Sequence, residues 1–159
     1  QRRGIAADRL VFAERVDPSE HLARHRAADL FLDTFHYGAH TTASDALWAG
    51  MPVLTKLGDT FASRVAASLL TAIGLPDLIV QTAEQYEELA VALATQPAML
   101  AAVKARLEEN KWSHSLFDTI RFAENIEAAY LRMWEIYEHS GTPEHFDVAD
   151  SRSSAGKGP

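Results

Sequence analysis

The sequence predicts an α/β fold, in which an open parallel sheet is followed by C-terminal helices. Short apolar runs rich in strand-forming residues recur up to residue 80, and polar loops and helical patterns follow them. After residue 80 only helical patterns remain. This order is typical of a Rossmann-like sheet, and we expect residues 1–138 to form that sheet and the C-terminal helices. Residues 139–159 turn to Gly, Ser, Asp and Pro without periodicity, which predicts a flexible tail.

The first two apolar runs are each followed by a predicted helix. Leu10-Val11-Phe12 predicts a strand, and a helix should extend from about Ser19 to Ala28 with Ser19 as its N-cap. Leu30-Phe31-Leu32 predicts a second strand, and the next helix should extend from about Thr42 to Ala49. A helix between two such strands makes a parallel βαβ unit.

Two further strands are predicted downstream. Pro52-Val53-Leu54 predicts the third strand, and the longer helix after it ends near Ile73. Leu78-Ile79-Val80 predicts the fourth strand. Gly50 and Gly74 stand directly after predicted helices, where a residue with positive φ commonly ends a helix.

The C-terminal part is predicted to contain three helices. Thr82 and Gln85 make a capping-box pattern at the start of the first, and Pro97 begins the second, which continues through Leu107. The third extends from about Asp118 to Tyr137. It carries an apolar stripe at helical spacing, made of Phe122, Ile126, Tyr130, Met133, Trp134 and Tyr137. We interpret the stripe as a packing face toward the core or another domain, in preference to a ligand platform.

The composition argues against several classes of protein. The 159 residues carry a net charge of -7, which argues against a surface for nucleic acid or anionic membranes. No apolar stretch approaches the ~18 residues of a membrane span. Without cysteine there is no disulfide or thiolate metal site, and a cytoplasmic location is expected. Because the first residue is Gln1 and a strand-like run follows closely, we expect the chain to be part of a longer protein.

The loop before the second predicted helix is the strongest candidate for a binding site. Ligands of open parallel sheets bind at the carboxyl ends of the strands, where this small-residue loop, Tyr37 to Thr42, lies. The start of the helix offers unpaired N–H groups to an anion, and the Thr41 and Thr42 hydroxyls add two donors for phosphate oxygens. Asp45, one turn after Thr41, suits ribose hydroxyls. The alternative is that Thr41 only caps the helix and Asp45 only adds a favourable first-turn charge.

Several ordered runs of the sequence extend well beyond a short motif. The longest is Gly38–Val53 (GAHTTASDALWAGMPV), and Gly58–Ala66 (GDTFASRVA) follows it. Three shorter runs accompany them, namely Arg9–Phe12 (RLVF), Glu20–Arg24 (EHLAR) and Tyr130–Trp134 (YLRMW). With these runs, residues 8–138 resemble the C-terminal catalytic domain of the protein O-GlcNAc transferases, a family that includes bacterial homologues and plant Spindly-type enzymes. The motifs GxGxxG and GxxxxGK[ST] do not occur, which disfavours common dinucleotide and P-loop sites.

The resemblance implies a GT-B architecture, in which two Rossmann-like domains enclose a nucleotide sugar that the C-terminal domain mainly holds. Carried over by position, the contacts to the diphosphate and sugar, which are also the implied catalytic residues, are His40, Thr41 and Thr42. Asp45 would bind the ribose, His21 would lie against the uracil ring, and Arg24 would lie at its edge. A neutral imidazole offers a flat surface to a base, and a guanidinium donates to carbonyl oxygens.

The implied reaction is metal-independent, inverting transfer of a sugar from UDP-GlcNAc to a Ser or Thr hydroxyl of a protein acceptor, with no cofactor. UDP-glucose and GDP-fucose stay open as donors, and a non-catalytic nucleotide-binding or interaction module is the other alternative.

His21 and His25 stand four residues apart on one helical face. Two histidines without a nearby carboxylate are weak evidence for a metal pair, so no metal site is expected.

Two features limit what the resemblance implies. Pro18 stands where the family has a lysine that helps to bind the nucleotide, and Arg15 or Lys56 could compensate. In the family, another Rossmann-like half and acceptor-binding helical (TPR) repeats precede the region of resemblance. We therefore expect the full-length protein to be the enzyme, and this chain alone to bind the donor weakly and to turn over little.

Overall fold

A three-stranded parallel sheet forms the centre of the computed structural model, which describes residues 4–149. The strands, in spatial order, are β1 (Phe31–Leu32), β2 (Val53–Lys56) and β3 (Ile79–Val80). Phe31 lies opposite Val53, and Thr55 lies opposite Ile79. Helix α2 (Thr41–Trp48) connects β1 to β2, and helix α3 (Val65–Ala72) connects β2 to β3. The second to fourth predicted strands and the βαβ pattern are confirmed.

Four other helices surround or follow this sheet. They are α1 (Pro18–Arg24), α4 (Ala83–Thr95), α5 (Pro97–Ser113) and α6 (Thr119–Ser140). None of the helices within residues 4–149 is long and apolar enough to cross a membrane.

The core lies between β2 and the helices that pack on it. Val53 and Leu54 are fully buried because β2 is the central strand and is covered on its faces. Helices α2, α3 and α5 turn small or branched apolar residues inward at helical spacing, among them Ala43, Leu47, Ala66, Leu70, Val103 and Leu107. The small residues let α2 approach the sheet closely, which places its first turn at the carboxyl end of β1.

The predicted helix ends are confirmed where local chemistry determines them. Gly50 and Gly74 follow α2 and α3 with φ values of 86° and 74°, a left-handed conformation that glycine adopts without strain. At α4, the Thr82 hydroxyl accepts from the Gln85 N–H at 3.2 Å, and the Gln85 side chain accepts from the Thr82 N–H at 3.2 Å. This is the predicted capping box.

Two predictions for the N-terminal region are wrong. Leu10-Val11-Phe12 forms no strand, and Val11 and Phe12 are 88% and 89% exposed. A strand needs a neighbour to share its backbone hydrogen bonds, and within residues 4–149 none lies beside this segment. Ser19 is also not an N-cap, because α1 already begins at Pro18, whose fixed φ suits the first helical position.

The apolar stripe of α6 does not pack on the core of this chain. All six of its residues are exposed, from 39% for Ile126 to 66% for Phe122. The interpretation as a core face is therefore wrong within the described residues, and packing against another domain stays a prediction. Of the predicted tail, residues 139 and 140 still belong to α6, residues 141–149 are irregular, and residues 150–159 lie outside the described part, so the flexible tail stays a prediction.

Candidate functional site

The predicted loop and the start of α2 line an open groove of about 520 Å³ at the carboxyl end of β1. Its lining is mixed, with Asp33, Tyr37, His40, Thr41 and Thr42 as the larger polar groups. A larger groove of about 1010 Å³ lies along α3, but its lining is mostly apolar with Arg64 as its one charged residue. The smaller groove has the chemistry that an anionic, hydroxyl-rich ligand requires.

Helix α2 begins with free hydrogen-bond donors. Its N-cap residue is His40, whose side chain makes no capping bond. Within residues 4–149, the N–H groups of His40, Thr41 and Thr42 have no hydrogen-bond acceptor, and neither threonine hydroxyl bonds to a protein group. Thr41 and Thr42 are exposed to solvent. Unpaired N–H groups at a helix start attract anions, because the helix dipole places partial positive charge there.

The alternative interpretation of this motif is wrong. Thr41 is the first residue of α2 and does not cap it. Asp45 is the fifth residue, beyond the first turn, so it is not a first-turn charge that stabilises the helix start. Neither side chain therefore stabilises the start of α2 in the way that this alternative requires.

The His40 ring is held in one orientation beside the groove. Its Nε2 lies 3.2 Å from the Ala62 carbonyl oxygen, and because a carbonyl only accepts, Nε2 carries the proton. The Tyr37 ring stacks on it at 5.3 Å between centroids and 15° between planes. The Phe61 ring meets it edge-on at 5.9 Å. When the ring is neutral, its Nδ1 atom is the hydrogen-bond acceptor, on a residue that lines the groove.

The structure brings the residues predicted for the base and ribose next to the start of α2. His21 Nε2 on α1 lies 4.0 Å from Asp45 Oδ2 on α2. Arg24 Nη2 donates to His21 Nδ1 at 2.7 Å, and Arg24 Nη1 donates to the Glu14 carbonyl oxygen at 2.8 Å. Because Nδ1 accepts, the proton of a neutral His21 sits on Nε2, toward Asp45.

His21 on α1 and His25, the first residue after α1, are arranged for packing against each other. His25 is 8% exposed, and its Nδ1 lies 2.8 Å from the His21 carbonyl oxygen. The two rings meet edge-on at 4.7 Å. In the part of the chain that the structure describes, no group of three or more His, Asp or Glu residues is placed to hold a metal ion.

Arg15 and Lys56, which could replace the lysine that the family has at position 18, do not line the groove. Pro18 is the first residue of α1. Lys56 Nζ lies 3.4 Å from the Leu57 carbonyl oxygen and 5.6 Å from the centre of the Phe35 ring. Arg15 is exposed in the segment before α1. Compensation by Arg15 or Lys56 stays a prediction.

Sequence reasoning missed Asp33 as a contributor to this site. Its carboxylate is buried and accepts hydrogen bonds from the loop and from β2, and its carbonyl oxygen accepts from the Tyr86 hydroxyl at 2.8 Å. The local signal that could have indicated Asp33 was its position directly after the apolar run Leu30-Phe31-Leu32, at the carboxyl end of a predicted strand. Two of its partners, Thr55 and Tyr86, are 22 and 53 residues away along the chain, so no local pattern indicates them.

The Tyr86–Asp33 contact predicts a pH dependence of stability in alkali. Burial, together with the negative charge of Asp33, raises the pKa of Tyr86 to about 12 from its usual value of 10.0. The neutral phenol is thus favoured in the folded state. Its contribution is fully present below about pH 10 and is lost as the pH rises toward about 12. We expect Tyr86→Phe to be less stable at neutral pH and to lose less stability over this window.

Urea unfolding of both forms between about pH 9 and 12 measures this difference. The two curves of unfolding free energy against pH should converge as the pH rises. Parallel curves would contradict the assignment of the alkaline loss to Tyr86.

The family model for glycosyl transferase family 41 matches residues 1–126 of the chain. The chain is 39% identical over 150 residues to a probable UDP-N-acetylglucosamine–peptide N-acetylglucosaminyltransferase, SEC, of Arabidopsis thaliana. It is 38% identical over 141 residues to the UDP-N-acetylglucosamine–peptide N-acetylglucosaminyltransferase of Caenorhabditis elegans. These matches cover 94% and 89% of the chain, but only 15% and 12% of the two relatives.

A solved structure shares the fold. A mutant of the Thermobaculum terrenum O-GlcNAc transferase superimposes with a TM-score of 0.82 at 34% identity, over 88% of this chain and 27% of that one. The predicted fold class, the Rossmann-like C-terminal domain of a GT-B glycosyltransferase with C-terminal helices, is confirmed by this likeness and by the parallel sheet.

Proposed function

The chain belongs to glycosyl transferase family 41, the protein O-GlcNAc transferases, and from this premise we propose that it is the donor-binding part of such an enzyme. Its proposed donor is UDP-GlcNAc, and its proposed acceptors are Ser and Thr hydroxyls of proteins. One observation carries the proposal: at the start of α2, three consecutive N–H groups and two hydroxyls have no hydrogen-bond partner among the described residues. The names of the relatives, which print this donor and a peptide acceptor, support it.

The diphosphate is the part of the donor that the start of α2 suits best. The N–H groups of His40, Thr41 and Thr42 donate to phosphate oxygens, and the two threonine hydroxyls add further donors. Because the chain has a net charge of -7, local donors of this kind, and no global positive field, must hold an anion.

The uridine part of the donor fits the contact between α1 and α2. We place the uracil against the His21 ring, whose side chain is 29% exposed, and the ribose hydroxyls at Asp45, whose side chain is 35% exposed. Among the described residues, Arg24 uses two of its five N–H donors, and the others serve the carbonyl oxygens of uracil. His21 Nε2 and Asp45 Oδ2 lie 4.0 Å apart, so the uracil and ribose subsites are adjacent.

In the proposed reaction, the acceptor oxygen attacks the anomeric carbon on the face opposite the diphosphate. A bond forms between that oxygen and the anomeric carbon, and the bond from the carbon to the diphosphate oxygen breaks, so that UDP leaves with the electron pair. The acceptor hydroxyl gives its proton to the departing UDP or to solvent. Configuration at the carbon inverts. Negative charge grows on the leaving diphosphate, where the N–H groups, the hydroxyls and the dipole of α2 stabilise it without a cation.

This chain supplies only some of the groups that the reaction needs. It spans 15% and 12% of the length of its two curated relatives, so the activity of the whole protein is itself a proposal. Its proposed role is to bind the donor and stabilise the leaving group, in the cytoplasm, with acceptor binding by other regions of a longer protein. Alone, it should bind UDP weakly and transfer little sugar.

Calorimetric titration of the full chain with UDP, GDP, ADP and inorganic pyrophosphate tests this proposal. We expect UDP to bind more tightly than the other three, because only UDP fills both the uracil and the diphosphate subsites. Adding EDTA should leave the UDP affinity unchanged if no cation takes part. Absence of UDP binding would refute a donor site, and a preference for GDP would shift the proposal to a GDP-sugar.

A further inference from the structure

The Asp33 carboxylate is buried beneath the loop that leads to α2. The residue is 5% exposed and follows β1 directly. Oδ1 accepts hydrogen bonds from the Thr34 N–H at 2.8 Å and from the Ala39 N–H at 2.6 Å. Oδ2 accepts from the Thr55 hydroxyl on β2 at 2.7 Å. Buried carboxylates are costly unless donors satisfy them, and here three donors do so.

The backbone of Asp33 is held as firmly as its side chain. Its N–H donates to the Leu54 carbonyl oxygen on β2 at 3.0 Å, and its carbonyl oxygen accepts from the Tyr86 hydroxyl on α4 at 2.8 Å. Asp33 is therefore fixed to the sheet and to α4, and Oδ1 reaches from that fixed point across the loop to Ala39. The carboxylate acts as a rigid inner support for the loop.

A second contact holds the loop from its other side. The Gly38 N–H donates to the Ala62 carbonyl oxygen at 2.9 Å, and the same oxygen accepts from His40 Nε2 at 3.2 Å. The Ala39 N–H thus points inward to Asp33. The following three N–H groups, which start at His40, have no partner in the part of the chain that the structure describes. The direction of the chain at Ala39 determines where those three groups point.

We propose that Asp33 is a positioning residue for diphosphate binding, which fixes the loop through the Ala39 N–H so that the N–H groups at the start of α2 face the groove. This inference rests on the proposed function, because it assigns those groups to the diphosphate. In this role Asp33, which also lines the groove, acts on the ligand through the Ala39 N–H and not by direct contact. Its charge is directed at the Ala39, Thr34 and Thr55 donors, which lessens repulsion of a bound phosphate.

Two substitutions at Asp33 separate geometry from charge. Asp33→Asn keeps an oxygen for the Ala39 N–H and offers an NH₂ group to the Thr55 oxygen, so it preserves the loop. Asp33→Ala removes the support. We expect Asp33→Ala to lower the UDP affinity by about tenfold or more, and Asp33→Asn to restore most of it. Asn110→Ala is the control, because Asn110 also supports a turn, through the Ile73 carbonyl oxygen at 2.8 Å, away from the groove.

The UDP affinity and the urea-unfolding free energy are measured for each variant. Asn110→Ala should lose stability without losing UDP affinity. The proposal is overturned if Asp33→Ala binds UDP as the unmodified chain does, or if Asn110→Ala loses as much affinity for a similar loss of stability. If Asp33→Ala does not fold, Thr55→Val takes its place. We expect Thr55→Val to lose less UDP affinity than Asp33→Ala. An unchanged UDP affinity in Thr55→Val would contradict the proposal.

Amide hydrogen exchange provides a measurement that does not depend on UDP. In Asp33→Ala, or in Thr55→Val, exchange at the Ala39 N–H should accelerate by a larger factor than at Leu70 in the core, and Asp33→Asn should reverse this. Equal acceleration at both amides would show a purely structural role and overturn the proposal. If the unmodified chain does not bind UDP, the proposed function fails, while exchange at Ala39 still decides whether Asp33 positions the loop.

Discussion

Replacing Thr41 and Thr42 together by alanine is expected to lower the affinity of the chain for UDP by about a hundredfold. Both hydroxyls are exposed and have no partner within residues 4–149, so they are available to phosphate oxygens. A hydrogen bond to a charged group contributes about 1–3 kcal/mol, and two such bonds lost together correspond to about this factor. Calorimetric titration with UDP measures the change.

The control for this double variant is Thr41→Ser with Thr42→Ser, which keeps both hydroxyls and removes only the methyl groups. It should bind UDP nearly as the unmodified chain does. The alanine variant should also remain folded, since alanine is a favourable residue near a helix start and no hydrogen bond among residues 4–149 is lost. Equal UDP affinities for the alanine and serine variants would exclude the hydroxyls from the site.

Gly38→Ala is expected to lower the UDP affinity by at least about tenfold and the stability by about 1–3 kcal/mol. A Cβ atom at this position would lie 2.9 Å from Asp33 Oδ2 and 3.2 Å from the Ala62 carbonyl oxygen. Neither neighbour can easily move, because Asp33 is held by three donors and the Ala62 oxygen accepts two bonds. The loop must shift instead, and the N–H groups that follow it shift too.

Gly141→Ala is the matched control for this substitution. Gly141 has a φ of 65° with nothing within 4 Å of an added Cβ, and it lies after α6. Alanine there costs about 1 kcal/mol of backbone strain without touching the loop. It should lower the melting temperature and leave the UDP affinity unchanged. If Gly38→Ala lowers the stability and leaves the UDP affinity unchanged, as is expected for Gly141→Ala, then the loop does not determine UDP binding.

Local sequence patterns predicted those parts of the fold that local chemistry determines. Gly50 and Gly74 end helices because their left-handed conformation suits glycine, and the Thr82–Gln85 box needs contacts only three residues apart. The third predicted strand was recognisable because the buried first half of β2 belongs to the apolar run Pro52-Val53-Leu54. The position of the groove followed from the same pattern, through the rule for strand ends.

The errors arose where the outcome depends on a distant partner. Leu10-Val11-Phe12 has the composition of a strand, but pairing requires a neighbouring strand, which residues 4–149 do not provide. The α6 stripe has the spacing of a packing face, yet spacing does not specify what packs against it. Asp33 was missed as a contributor to the site because its partners Thr55 and Tyr86 come from other elements.

The way α6 is attached has a consequence for how the molecule opens. Of its 22 residues only Ala129 and Ile136 are buried, so little apolar contact area couples the helix to the sheet. A segment held in this way opens at a lower free energy than the core and behaves as a separate foldon. Within this chain, α6 is therefore expected to unravel and reform many times for each global unfolding event, while the groove at the start of α2 stays intact.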